Sequence, residues 1–213
     1  MIKFLYMFLA IFLIASCSNI PFPLYQRSYE GLREGLFLSD PITIDQSYLN
    51  SKPYDSIRVR FGRSTSLIMV LVRSESGLYE WISADRGKLF TYKGKIIKTN
   101  GLRHDIQLED FKERIDNLNR EEASYISNFY EPVLLNQLNK STLKFKKTSF
   151  IKNIIPGRDP VKVNIYEEIV FIETINWRVK NHYMYNENGR IVRSIQNIHP
   201  FLKRISIDYI DAY

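Results

Sequence analysis

The sequence predicts an all-β chain, mostly antiparallel, curled into a single sheet or a partly open β-barrel with one or two short helices. Three observations predict it. Apolar residues alternate with polar ones at period two in both halves of the chain. The alternating runs are short and are separated by glycine-containing turns. Helical spacing of apolar residues occurs only in two brief stretches. The organisation expected is a signal peptide over 1–16, a lipidated tether over 17–27 and one β-rich domain over 28–213.

The chain begins with Lys3 and an apolar run from Phe4 to Ala15, closed by Ile14-Ala15-Ser16-Cys17. A basic residue, a short apolar region and small residues at a cut are the pattern of a processed leader. The run is too short to span a bilayer, which takes roughly 20 residues. Cysteine at the cut makes the pattern a lipobox, so Cys17 is the expected lipidation site. Each buried methylene of an acyl chain adds about 0.8 kcal/mol of membrane affinity, and stable anchoring takes more than one chain. Ser18 follows, rather than the aspartate that retains Gram-negative lipoproteins at the inner membrane, which points to the outer membrane, facing the periplasm.

Pro21 and Pro23 mark the tether. Tyr29, Leu32 and Leu36 have helical spacing behind Ser28 as an N-cap, weakened by Gly31 and Gly35. Strands follow. Ile57, Val59 and Phe61 alternate with Arg58 and Arg60. Leu67 to Val72 is continuously apolar, as in a strand covered on both faces or running through the core. Leu78 to Ser83, Lys88 to Tyr92 and Lys95 to Thr99 form a meander through turns at Ser76-Gly77, Arg86-Gly87 and Lys93-Gly94, and Asn100-Gly101 signals another tight turn. Phe111, Ile115 and Leu118 share a helical face, and Asp110 with Glu113 has capping-box spacing, so a short helix is expected over 110–119. Strands resume at Ser124 to Tyr130, limited by Pro132. Thr142 to Phe150, Val161 to Thr174, Trp177 to Tyr185, Arg190 to Ile198 and Phe201 to Ile210 complete the chain.

Composition bounds the function. The net charge is +7, and loss of Lys3 with the leader leaves +6. A basic envelope protein meets anionic headgroups or acidic polysaccharide, and no nucleic-acid partner is expected. The single cysteine leaves no disulfide within the mature chain. Lys144, Lys146, Lys147, Lys152 and Arg158 lie in a stretch free of acidic residues, a candidate polyanion contact or simply a solvated face. Arg190 and Arg193 flank a second basic region. Trp177 is a candidate for stacking on sugar rings; the competing reading for it, and more so for Trp81, is core packing. His104, His182 and His199 are scattered without metal-ligand spacing, and no cofactor motif is present. Glu167 and Glu168 are adjacent, so on a strand they point to opposite faces and cannot form the facing pair of a glycosidase.

The chain resembles the YjbF/GfcB family of group 4 capsule and exopolysaccharide-associated outer-membrane lipoproteins. The likeness rests on Lys52-Pro53-Tyr54, Trp81-Ile82-Ser83-Ala84-Asp85 and the run Gly94-Lys95-Ile96-Ile97-Lys98-Thr99-Asn100-Gly101-Leu102. Later it rests on Trp177, Tyr183, Gly189, Val192-Arg193-Ser194, Gln196 and Pro200. Tyr185 departs from the acidic residue of the family pattern. The resemblance implies an open barrel with short helices and work beside an outer-membrane barrel protein and periplasmic capsule-export proteins. It implies no enzyme activity. Two other readings compete: a periplasmic polysaccharide-acting enzyme, which needs converging acids or a tyrosine with a basic partner in a cleft, and a lipocalin-like module, which needs a deep apolar cavity in the barrel.

Overall fold

The structure is a computed structural model that describes residues 54–112, 122–151 and 160–210. All of these fall within one compact unit, Pro41–Tyr213. The lipobox with Cys17, the tether, the expected helix around Tyr29 to Leu36, Lys152 and Arg158 lie outside the described residues, as does most of the helix expected over 110–119.

Twelve strands form a closed antiparallel barrel. They are β1 (Ser56–Phe61), β2 (Ser66–Glu75), β3 (Leu78–Ser83), β4 (Lys88–Tyr92), β5 (Lys95–Asn100) and β6 (Ile106–Glu109), then β7 (Glu122–Tyr130), β8 (Val133–Ile151), β9 (Val161–Ile172), β10 (Trp177–Asn186), β11 (Ile191–Gln196) and β12 (Ile205–Tyr209). Each strand pairs with its sequence neighbours, and β1 pairs with β12 to close the ring. The all-β expectation holds, and the ring is closed rather than partly open. Closure removes sheet edges, the usual liability of an antiparallel sheet.

Period-two alternation places the core. Ile57 and Val59 are fully buried and face Tyr209 and Ile207 of β12 in register. Between them Arg58 points outward and holds Asp208 through Nε and Nη2 at 3.0 and 2.8 Å, while Arg193 takes the other carboxylate oxygen at 2.5 Å. The outer face carries further ion pairs, Lys88 with Glu80 among them. This is the reverse of a membrane-spanning barrel, which turns its apolar side to lipid. The main cluster of buried apolar side chains lies on the inner face.

Three sequence expectations are revised. The Leu67 to Val72 run is not covered on both faces: in β2 only Met69 is buried, and Val72 is 53% exposed. Continuous apolarity here gives an inner face of Leu67, Met69 and Leu71 and an outer face left to water. Asn100-Gly101 does not make a two-residue hairpin. The Asp105 carboxylate gathers the N–H groups of Gly101 and Leu102 and the Thr99 hydroxyl, organising a longer loop into β6, which four residues signal too weakly. The third revision is β8, which starts at Val133. A tight turn with a cis Glu131-Pro132 bond folds it straight back on β7, although Val133-Leu134-Leu135 shows no alternation.

Candidate functional site

Aromatic side chains gather at both ends of the lumen, and polar side chains cross its middle. The middle is narrow. β5 and β11 are not neighbours in the ring, yet Gln196 of β11 bonds the backbone of β5 as a strand would. Its Oε1 accepts the Ile96 N–H at 2.9 Å, and its Nε2 donates to the Gly94 carbonyl at 2.8 Å. Gly94 has φ +86°, and a Cβ there would lie 2.7 Å from Cγ1 of Ile191. Both the backbone angle and the close approach therefore need glycine.

Beside this crossing the Lys95 ammonium meets Glu168 of β9 at 2.5 Å, both buried. The second carboxylate oxygen accepts the Tyr183 hydroxyl at 2.8 Å and the Asn181 amide at 3.1 Å. Lys95 also lies 3.9 Å from the centre of the Tyr125 ring. Burial works to neutralise both members of the pair, and the partner charge overrides it. Glu168 is held below the usual carboxylate range by Lys95 and its hydrogen bonds, and Lys95 above the usual lysine value by Glu168. Burial pushes the Tyr125 phenol up to about 12. The result is an internally neutralised cross-brace with every carboxylate oxygen occupied.

One end of the barrel is sealed. Phe129 is fully buried there, with Trp177 edge-on at 6.3 Å and His199 edge-on at 4.8 Å between ring centres. His104 stacks on His199 at 5.0 Å. The Trp177 ring, a candidate for sugar stacking with core packing as the favoured reading, is engaged with Phe129 and the core.

The other end is open. A cavity of about 730 Å³ lies among the turns β2–β3, β4–β5 and β10–β11 and the start of β1. Trp81, Tyr79, Tyr209, Tyr185 and Tyr166 line it. Trp81 stacks on Tyr79 at 6.0 Å, meets Tyr209 edge-on at 6.1 Å, and donates its indole N–H to Thr91 Oγ1 at 2.9 Å. Tyr166 and Tyr185 pack edge-on at 5.7 Å, and Tyr185 donates its hydroxyl to the Lys93 carbonyl at 3.0 Å. Trp81, which sequence patterning assigns to the core, is both buried and a wall of the cavity. Gly94 lines the cavity as well, so the lumen crossing borders the open mouth.

The basic residues are placed as follows. Register pairs Lys144 with Glu167 and Lys147 with Ile165, and Lys146 bonds Glu167 at 3.2 Å. An irregularity between Phe145 and Lys147 brings all three lysines to the outer face. Glu167 also meets Lys180 and His182 there, and its carboxyl is held low against burial, chiefly by Lys146. Glu167 outside and Glu168 inside follow the adjacency rule. Arg193 is engaged with Asp208, whereas Arg190 lines the cavity. Asp85 bonds Ser83 in the β3–β4 turn, away from Glu168. Among the described residues no three His, Cys, Asp or Glu side chains converge on a metal position.

Residues 29–210 match the family model described as group 4 capsule polysaccharide lipoprotein gfcB, YjbF. The chain belongs to this family. It is also similar to an uncharacterised lipoprotein, GfcB, of Escherichia coli strain K12, with 26% identity over 81 residues, 38% of each chain. That aligned stretch is well under half of the relative's length. Its fold is similar to the crystal structure of the hypothetical lipoprotein YmcC from E. coli K12, with a TM-score of 0.65 and 17% identity over 80% of this chain and 90% of that one. The family description names a lipoprotein of capsule polysaccharide and no reaction. Four of the residues that carry the resemblance in sequence, Gly94, Lys95, Tyr183 and Gln196, meet at the lumen crossing.

Proposed function

We propose that this protein is an outer-membrane lipoprotein, facing the periplasm and held by acyl chains on Cys17, that assists assembly or export of capsule or exopolysaccharide without catalysing a reaction. The observation that carries the reading is the family match over nearly all of the chain behind a lipobox. The charged barrel exterior supports it, because such a barrel needs an anchor outside itself. Lys144 and Lys147, exposed on the outer face, suit contact with an acidic polymer, with Lys152 and Arg158 adjoining them in sequence. An outer-membrane barrel protein and periplasmic export proteins are the protein partners of this reading.

A polysaccharide-cleaving enzyme has less support. A lyase needs a tyrosine that loses its proton readily. Burial pushes Tyr185 and Tyr209 at the cavity well above the ordinary phenol value, so both stay protonated. Glu168 is occupied by Lys95, and Glu187 by Lys162 at 2.8 Å.

Deletion of the gene is expected to lower surface polysaccharide, and a Cys17→Ala allele to reproduce much of that loss with the protein released from the membrane fraction. Unchanged polysaccharide in the deletion strain overturns the reading. Shortening of purified polysaccharide chains by the protein, read by size-exclusion chromatography, overturns its non-catalytic part.

A further inference from the structure

We infer that the open mouth of the barrel is a saccharide-binding site that takes a short acidic segment of surface polysaccharide, with Tyr79, Tyr166 and Tyr185 as its stacking walls and Trp81 packed behind Tyr79. This deepens the capsule reading and rests on it.

Sugar rings present apolar C–H faces and a rim of hydroxyls, so a site for them needs aromatic faces interleaved with hydrogen-bonding groups. The mouth has that composition. Asn164, Asn186 and Asp55 lie among the rings. A lipid or other apolar guest is served better by an unbroken apolar wall. The volume, about 730 Å³, falls within the range of pockets that bury a small ligand, and the cavity is open to solvent, as a polymer segment requires.

The aromatic surface also continues along the sheet past the end of β7. β8 runs on beyond Thr142, where it leaves β7, as a hairpin with β9, while β9 stays paired with β10 up to Val163. On its inner side Phe145 packs edge-on against Tyr166 at 5.6 Å yet remains 55% exposed. Tyr185, Tyr166 and Phe145 form a continuous series leading outward. A globular ligand has no use for such an extension, whereas a chain leaving the cavity would lie along it.

Charge selects the class of saccharide. Lys93 and Arg190 line the mouth, and the Arg190 guanidinium has no partner among the described residues. Glu187 is neutralised by Lys162. Asp55 and Glu187 balance Lys93 and Arg190 in number among the lining residues, so selectivity rests on Arg190, whose planar guanidinium matches a uronate-type carboxylate.

The structure supplies its own reporter. The chain has two tryptophans, Trp81 in the cavity wall and Trp177 at the opposite end. In a Trp177→Phe background the full-length lipoprotein in detergent micelles emits from Trp81 alone. It is titrated with oligosaccharides released by mild acid from the producing cells' own surface polysaccharide. A saturable change in Trp81 emission is expected. Tyr166→Ala weakens binding about tenfold. Arg190→Gln, on an exposed residue, weakens it several-fold and reduces its salt dependence. Arg178→Gln, at an exposed position near the start of β10 at the opposite end, leaves it unchanged. Absence of a saturable signal, or binding that neither Tyr166→Ala nor Arg190→Gln alters, overturns the proposal. If the titration fails while the deletion strain still loses polysaccharide, the site is wrong and the capsule role stands. If the titration succeeds and deletion leaves polysaccharide unchanged, the site stands and the capsule role falls.

Discussion

The two ends of the barrel use the same class of residue to opposite effect. At the sealed end Phe129, Trp177, His199 and His104 pack against one another and leave no room. At the open end Trp81, Tyr79, Tyr166, Tyr185 and Tyr209 stand around a void and satisfy their polar atoms sideways, on Thr91 and on backbone carbonyls. The difference lies in what holds each wall. Phe129 is held by other rings, so the sealed end is stabilised by mutual burial. The rings of the open end pack in groups, Trp81 with Tyr79 and Tyr209, and Tyr166 with Tyr185, on strands that the lumen crossing draws together, and the space lies between the groups. Aromatic content alone does not distinguish a plug from a binding surface; the anchoring of each ring does.

Breaking the crossing that separates the ends has the largest expected effect. Glu168→Gln leaves the Lys95 ammonium buried without its counter-charge, which costs about 3–5 kcal/mol. Denaturant unfolding should show a loss of that size, and the double change Lys95→Met with Glu168→Leu should recover much of it, because no unpaired ion remains. A double variant as unstable as the single one would mean that the hydrogen bonds around Glu168, not the charge, carry the brace.

Phe129→Ala sharpens the comparison directly. It opens a hole in the sealed end and is expected to cost about 3–5 kcal/mol. Tyr166→Ala at the open end should cost less, about 1 kcal/mol, since its ring is only partly buried and packs edge-on against Phe145 and Tyr185 beside the cavity. Equal losses in the two thermal melts would erase the distinction between plug and wall.

Gly94→Ala is expected to cost about 1–3 kcal/mol, from the strained φ and the contact with Ile191 together. Urea unfolding measures the loss. A stability equal to the parent's would show that β5 does not need its close approach to β11.

Acid should act on the sealed end first. The His199 ring is 1% exposed; burial, with His104 beside it, pushes its pKa down to about 4. Its Nδ1 accepts the Phe201 N–H at 3.1 Å, and Nε2 has no partner among the described residues. The unfolded chain therefore binds this proton more readily than the folded one. Stability is full above the ordinary histidine pKa and falls as pH drops towards 4, by at most about 1.4 kcal/mol per pH unit. Glu168, with its pKa lowered by folding, adds acid sensitivity that begins in the usual carboxylate range and continues below it. His199→Asn keeps an acceptor for Phe201 and cannot titrate there, so its melting temperature should vary less between pH 6.5 and 4. An unchanged pH profile would locate the acid sensitivity elsewhere.

Legibility varied with the range of the interaction concerned. The Ile57 to Phe61 alternation yielded β1 with its inner and outer faces, and the separation of Glu167 from Glu168 followed from adjacency alone. Core packing, the favoured reading of Trp81 and Trp177 from their similar strand patterns, agrees with the structure, but only the partners across the lumen make one a cavity wall and the other part of a plug. Lys95 looked like one more basic residue of a meander. Its partner Glu168 lies 73 residues away, and no local pattern announces it.

The strands, their inner and outer faces, the lipobox ahead of them and the family likeness could all be read along the chain. These are local properties, set by side-chain period and by turn chemistry a few residues long. Folding in three dimensions added that the ring closes, that β5 meets β11 through Gly94 and Gln196, and that one end fills while the other stays open. Those outcomes depend on which residues face one another across a lumen, and that is settled by strand register and closure rather than by neighbours in the chain.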